Sequence, residues 1–214
     1  MSKRREQLIA ELAAAAQPVH RPGRTTGPSL VWLLVTVLVA LGATLVHGPL
    51  RPGFLTDLAH SPRYALEALL GAATCVGLAL AAFRSGIPAP GGALLRFRLP
   101  LALLGAWSGL FLAALIVPAI EPSMMGKREA CVFEVLLYGL PGLALGMLAV
   151  RRLWPLSGPQ SGALLGLASG AVPALSMQFA CMPEPAHALA YHLAPGLALG
   201  VVGAVLGAAL LRPR

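Results

Sequence analysis

The chemistry available to this 214-residue chain rests on three cysteines, five histidines and eight carboxylates. Two of the thiols, Cys131 and Cys181, have other donors close by in sequence: Glu129, Glu134, Glu184, His187 and His192. A pair of thiols brought together can close a disulfide or jointly bind a soft metal ion, and carboxylates and imidazoles can complete the shell of such an ion. There is no Cys-x-x-Cys, so the spacing resembles neither a redox-enzyme motif nor a zinc knuckle. Cys75 falls in the middle of an apolar run, where a free cysteine packs as a small hydrophobic filler. The chain has no Walker loop, no dinucleotide fingerprint and no His-Glu-x-x-His, and its single aspartate, Asp57, lies between apolar runs. It reads as a non-enzyme with no catalytic residues and no cofactor beyond a transient heavy-metal ion at Cys131 and Cys181.

The elements that position these groups follow from composition. Hydrophobic residues make up 57% of the chain and charged residues only 11%, and the mean hydropathy is +0.77. A soluble domain carries about a quarter charged residues. Here the apolar residues gather in runs near Leu30 to His47, Tyr64 to Phe83, Leu99 to Ile120, Cys131 to Val150, Ser161 to Cys181 and Leu193 to Leu211. A helix of about twenty residues crosses the roughly 30 Å hydrocarbon core with its backbone groups satisfied internally. The expected fold is therefore all-α: a polytopic membrane protein, a six-transmembrane-helix bundle with a short cytoplasmic N-terminal amphipathic helix. Connectors marked by Arg51-Pro52-Gly53, by residues 84–92 and by Arg151-Arg152 are short, so successive helices pack antiparallel. Cys131 lies twenty residues before Arg151 and Cys181 twenty after Ser161, which places the two thiols at one depth on adjacent helices.

Orientation follows from the basic residues. With the amino terminus inside, twelve Lys and Arg flank the cytoplasmic side, and Arg51, Arg63, Lys127 and Arg128 remain outside. That asymmetry predicts a bacterial inner-membrane protein with both termini in the cytoplasm and the cysteine pair facing the oxidising compartment. It also accounts for the net charge of +8 without direct nucleic-acid binding. The first run exceeds a secretory h-region and lacks a small-x-small cleavage site, so it reads as a retained helix. Glu67 and Glu134 enter their spans by about one turn and read as interfacial anchors or partners of Arg63, Lys127 or Arg128.

Glycines repeat every fourth residue at Gly142 and Gly146, at Gly162, Gly166 and Gly170, at Gly196 and Gly200, and at Gly203 and Gly207. Such stripes let helices approach closely in a bilayer and predict a tight carboxy-terminal trio, with a homo-oligomer interface as the other use. Residues 1–29 form a polar segment, 30–211 the transmembrane domain and 212–214 a tail. Within the first, Glu6 to Gln17 is helical in pattern, with Leu8, Ile9 and Leu12 on one face and Pro18 as its stop. A helix this short needs a surface to lie on, either membrane lipid or a cytoplasmic protein partner.

Several motifs in fixed order carry a resemblance. They are Leu8-Ile9-Ala10-Glu11-Leu12-Ala13 leading to Pro18-Val19, Cys131 opening the fourth span, and Pro159 with Gly162-Ala163-Leu164-Leu165-Gly166 opening the fifth. Cys181-Met182-Pro183-Glu184, His192-Leu193-Ala194-Pro195 and the closing Gly207 to Arg212 follow. Together they resemble the NrsF-type family of negative regulators of sigma F, polytopic anti-sigma factors of proteobacteria. The resemblance implies sequestration of an extracytoplasmic-function sigma factor by the cytoplasmic parts, for which the apolar face of Leu8, Ile9 and Leu12 is the candidate contact, and release on heavy-metal or oxidative stress. It also implies that Cys131 and Cys181 are the sensing pair. The ending Leu211-Arg212-Pro213-Arg214 departs from the pattern, which has an aromatic after the arginine. The alternatives are a quinone-linked membrane thiol oxidoreductase, against which the missing Cys-x-x-Cys speaks, and a small metal transporter, against which the lack of midplane charge speaks.

Overall fold

The computed structural model describes residues 3–15, 24–87, 93–153 and 155–211. Pro18, the expected stop of the first helix, and the 212–214 tail lie outside the described residues. Helix α1 (Lys3–Ala15) carries Leu8, Ile9 and Leu12, all more than half exposed. Beyond it come α2 (Thr26–His47), the short α3 (Phe54–His60), α4 (Pro62–Ser85), α5 (Ala93–Ala114), α6 (Cys131–Arg151), α7 (Gly158–Ala180) and α8 (Pro185–Leu210). The chain is an all-helical multi-pass membrane protein, with six helices long and apolar enough to span a bilayer: α2 and α4 to α8.

α7 is the axis of the bundle, touching α2, α4, α6 and α8, while α5 packs on α4 and on the start of α8. Trp32, Phe83, Trp107, Leu165 and Met177 fill the interior. Leucines and valines such as Leu34, Leu69, Leu148 and Val201 point outward. With lipid as solvent that outward face is the expected one, because hydrocarbon tails are as apolar as leucine.

Two spans differ from the apolar runs that announce them. The third was expected to reach Ile120, but α5 ends at Ala114. Pro118 explains this, since its ring disfavours the helical region for Val117 and clashes with the carbonyl four residues back. The sixth begins at Pro185 rather than Leu193 and runs through a π-helical segment, Ala188–Leu193.

The α7/α8 contact is made by backbone. A Cβ on Gly162, Gly166 or Gly170 would fall on the carbonyl oxygens of Gly203, Leu199 and Gly196 respectively, and one on Gly203 or Gly207 would meet those of Gly162 and Gly158. The glycine stripes thus serve packing within one chain. Gly166→Ala is expected to cost about 1–3 kcal/mol or more by forcing the two backbones apart. A lowered midpoint in detergent unfolding checks it. Gly105, which has open space around its Cα, is the control, because Gly105→Ala should be neutral or gain up to about 1 kcal/mol from helix propensity.

Candidate functional site

The site gathers where α2 and α7 end and α6 and α8 begin. Cys131 is the first residue of α6, and Cys181 is the extended residue that ends α7, its N–H donating to the Met177 carbonyl. Both are buried, and with Met182 they form a small core cluster of their own. Their sulfurs lie 3.3 Å apart, which agrees with the equal depth read from helix lengths. The Arg128 carbonyl, also 3.3 Å from the Cys131 sulfur, is an alternative acceptor for its single S–H.

Chain chemistry then brings in two imidazoles. After Cys181 the run Met182-Pro183-Glu184-Pro185 turns the chain, and the Glu184 carboxylate accepts from the N–H groups of Ala186 and His187. That cap fixes the start of α8 and aims His187, whose Nε2 stands 3.4 Å from both sulfurs. His192 lies five residues on. In an α-helix, residues five apart point about 140° from one another. A π segment bonds i to i+5 and so stacks them on one face. Pro195 accounts for the widening at this place, because it lacks an N–H and its ring clashes with the Tyr191 carbonyl four residues back. The His187 and His192 rings therefore meet edge to face with centroids 5.0 Å apart, and His187 stacks on Tyr191 at 4.6 Å.

The outcome is a buried group of two thiols and two imidazoles, Cys131, Cys181, His187 and His192, with one donor atom from each lying within 4.8 Å of all the others. His192 is 2% exposed, and neither ring nitrogen has a hydrogen-bond partner among the described residues. A buried polar group left so costs about 1–3 kcal/mol. The Cys181 thiol, outside the spans, is held well below its ordinary range, first by the hydrogen bond from Cys131 and then by His192, against the opposing effect of burial. A cavity of about 620 Å³ opens beside the group and is lined by Lys127, Arg128, Glu129, Cys131, His187 and Tyr191 among others.

The three carboxylates near the pair in sequence stand outside this group. Glu184 is the cap just described, Glu129 is exposed on the rim of the cavity, and Glu134 pairs with Arg128 at 3.2 Å. Glu67 pairs with Arg63 at 3.7 Å. Sequence reading missed two features here. One is the π segment, for which His187, His192 and Pro195 together were the available signal. The other is Arg128 as a clamp, donating through Nη2 to the carbonyls of Thr44, Gly48 and Pro49 at 3.2, 2.9 and 3.0 Å while Nη1 holds Glu134. A cation on the last carbonyls of α2 complements that helix's dipole. It also ties α2 to the loop that carries Cys131. Nearby, Arg51 is buried against Asp57 at 2.6 Å, under a loop that Gly126 turns with φ +80°.

Comparison with known proteins agrees with the motif order. No curated protein and no solved structure matches the chain. A family model does match, over residues 12–212, and its description is negative regulator of sigma F. The match takes in all six spans and the four residues of the site, so the chain belongs to the NrsF family of negative regulators of sigma F, an anti-sigma factor family whose partner is a sigma factor.

Proposed function

We propose that this chain is an inner-membrane anti-sigma factor that holds an extracytoplasmic-function sigma factor at the cytoplasmic face and releases it on heavy-metal or oxidative stress sensed at Cys131 and Cys181. The observation that carries the sensing half is the meeting of two buried thiols at 3.3 Å on separate helices. A bound ion, its exchange for a different ion, or an oxidant joining the thiols sets or alters the tie between α6 and the end of α7, and neither thiol alone can do so.

The binding half is supported by the family and by α1. Its apolar residues Leu8, Ile9 and Leu12 are each more than half exposed, as the apolar face of an amphipathic helix is before it enters a partner's groove. In this reading residues 1–29 are the sigma-binding segment, 30–211 the membrane domain and 212–214 a cytoplasmic tail. The basic flanks orient the chain with both termini inside. α2 is 22 residues long, so its amino-terminal end, on the side from which the 1–25 segment enters, stands about 33 Å from its carboxy-terminal end beside the thiols. The signal therefore acts through the helices, and it changes sigma release only by favouring one of two conformations of the bundle.

Full-length protein in detergent and the isolated 1–29 segment, each used as bait in a cytoplasmic extract, provide the test. Both are expected to recover a sigma factor, and cadmium should reduce recovery only with the full-length bait. Recovery of no sigma factor by the full-length bait would remove this reading.

A further inference from the structure

We infer that Cys131, Cys181, His187 and His192 hold a resident zinc ion as a closed tetrahedral site, and that this is the resting state of the sensor. The inference rests on the reading of the cysteine pair as the sensing site, and it adds the ion, the two histidine ligands and the state from which sensing starts. Zinc sits about 2.3 Å from sulfur and about 2.0–2.1 Å from nitrogen, so a tetrahedral S2N2 shell has edges of about 3.8 Å between sulfurs and about 3.5 Å between sulfur and nitrogen. The observed separations are 3.3 Å between the sulfurs and 3.4 Å from each sulfur to His187 Nε2. The His192 nitrogen completes a set that lies within 4.8 Å throughout.

Three further observations point to a cation. His192 is buried with both ring nitrogens unpartnered, and a metal would occupy one of them. Charge balances as well. Two thiolates, two neutral imidazoles and one divalent zinc sum to zero, so the loaded site buries no net charge. Finally, Cys131 and His187 line the neighbouring cavity, which gives the ion a path of entry. Binding forms two Zn–S and two Zn–N bonds and releases both thiol protons to water, with no electron transferred. A tetrahedral set of two thiolates and two imidazoles suits zinc in geometry and ligand type.

The test uses full-length protein purified in detergent without chelator or added metal. Elemental analysis is expected to find about one zinc per chain. Cobalt substitution should give the intense visible bands of tetrahedral cobalt with sulfur-to-metal charge transfer. His187→Ala and His192→Ala should each lose most of the zinc, while Cys75→Ser and Glu134→Gln keep it. Metal-free wild-type protein that also fails to take up cobalt, a Cys131–Cys181 disulfide in protein purified anaerobically, or full zinc occupancy in both histidine variants would each overturn the inference. The wild-type measurements stand even if a variant fails to fold. The two proposals fail separately: a metal-free protein whose regulon still answers cadmium through its cysteines sinks the zinc alone. A zinc-loaded protein whose cysteine variants remain inducible sinks the sensing role alone.

Discussion

Replacing Cys131, Cys181 or both with serine is expected to abolish the graded response of the sigma-dependent regulon to cadmium or chromate. The reason is geometric. Cys131 belongs to α6 and Cys181 to the end of α7, so a bound ion or a disulfide is a tie between two elements, and half a tie transmits nothing. The two thiols act as one unit, and the double variant should be no worse than either single one. A reporter measured with and without metal should fall from its full range to less than about a twofold difference in all three strains. Cys75→Ser should respond as wild type, because Cys75 is buried in α4 among the core residues. Immunoblots establish equal protein in the membrane. Full inducibility in the double variant would rule the pair out.

The second large effect is expected at the other end of the molecule. Leu8→Asp combined with Leu12→Asp puts two carboxylates on the apolar face of α1. Each leucine buried in a partner is worth about 1.5–3 kcal/mol, so loss of both should weaken sigma binding at least tenfold. The regulon reporter should then be constitutively high with the protein still membrane-bound. Both positions are exposed, so the substitutions leave the bundle intact, and a functional effect cannot be ascribed to misfolding. Unchanged repression by a well-expressed double variant would place the contact elsewhere, for example near Arg84 or Arg151.

Some of this was legible before any coordinates, and the reasons differ by residue. The six spans were visible because a bilayer imposes one length and one composition on every crossing helix. The meeting of Cys131 and Cys181 could be read for the same reason: in antiparallel helices of fixed rise, counting residues measures depth. The glycine stripes announced their contact because only glycine permits helix backbones to touch. His187 and His192 were within view as donors, but their convergence was not. An α-helical reading separates five-residue neighbours to different faces, and only the wider π turn ahead of Pro195 unites them. Nor could the clamp of Arg128 on three carbonyls at and just past the end of α2 be foreseen, since it joins residues some 80 apart in sequence. The end of α5 at Ala114 was missed for a simpler reason: Leu115, Ile116 and Val117 prolong the apolar run, and Pro118 decides the matter.

The backbone contact between α7 and α8 gives the bundle unequal stiffness. Where α6 meets its neighbours, Gly139, Gly142 and Gly146 receive mainly side chains, those of Leu199, Thr36 and Leu165, with the Ser169 carbonyl also close to Gly139. Such a joint yields a little, because a side chain can shift or change rotamer. Between α7 and α8 most of the glycines of one helix lie on the carbonyls of the other, and Gly200 alone of the stripe faces a flexible side chain, that of Leu167. The hairpin therefore moves as a single beam, and the seam along α6 is more compliant than the contact within it. Cys181, His187 and His192 ride on the beam and Cys131 stands across the seam, so whatever binds the four groups sets the angle at a joint that can bend.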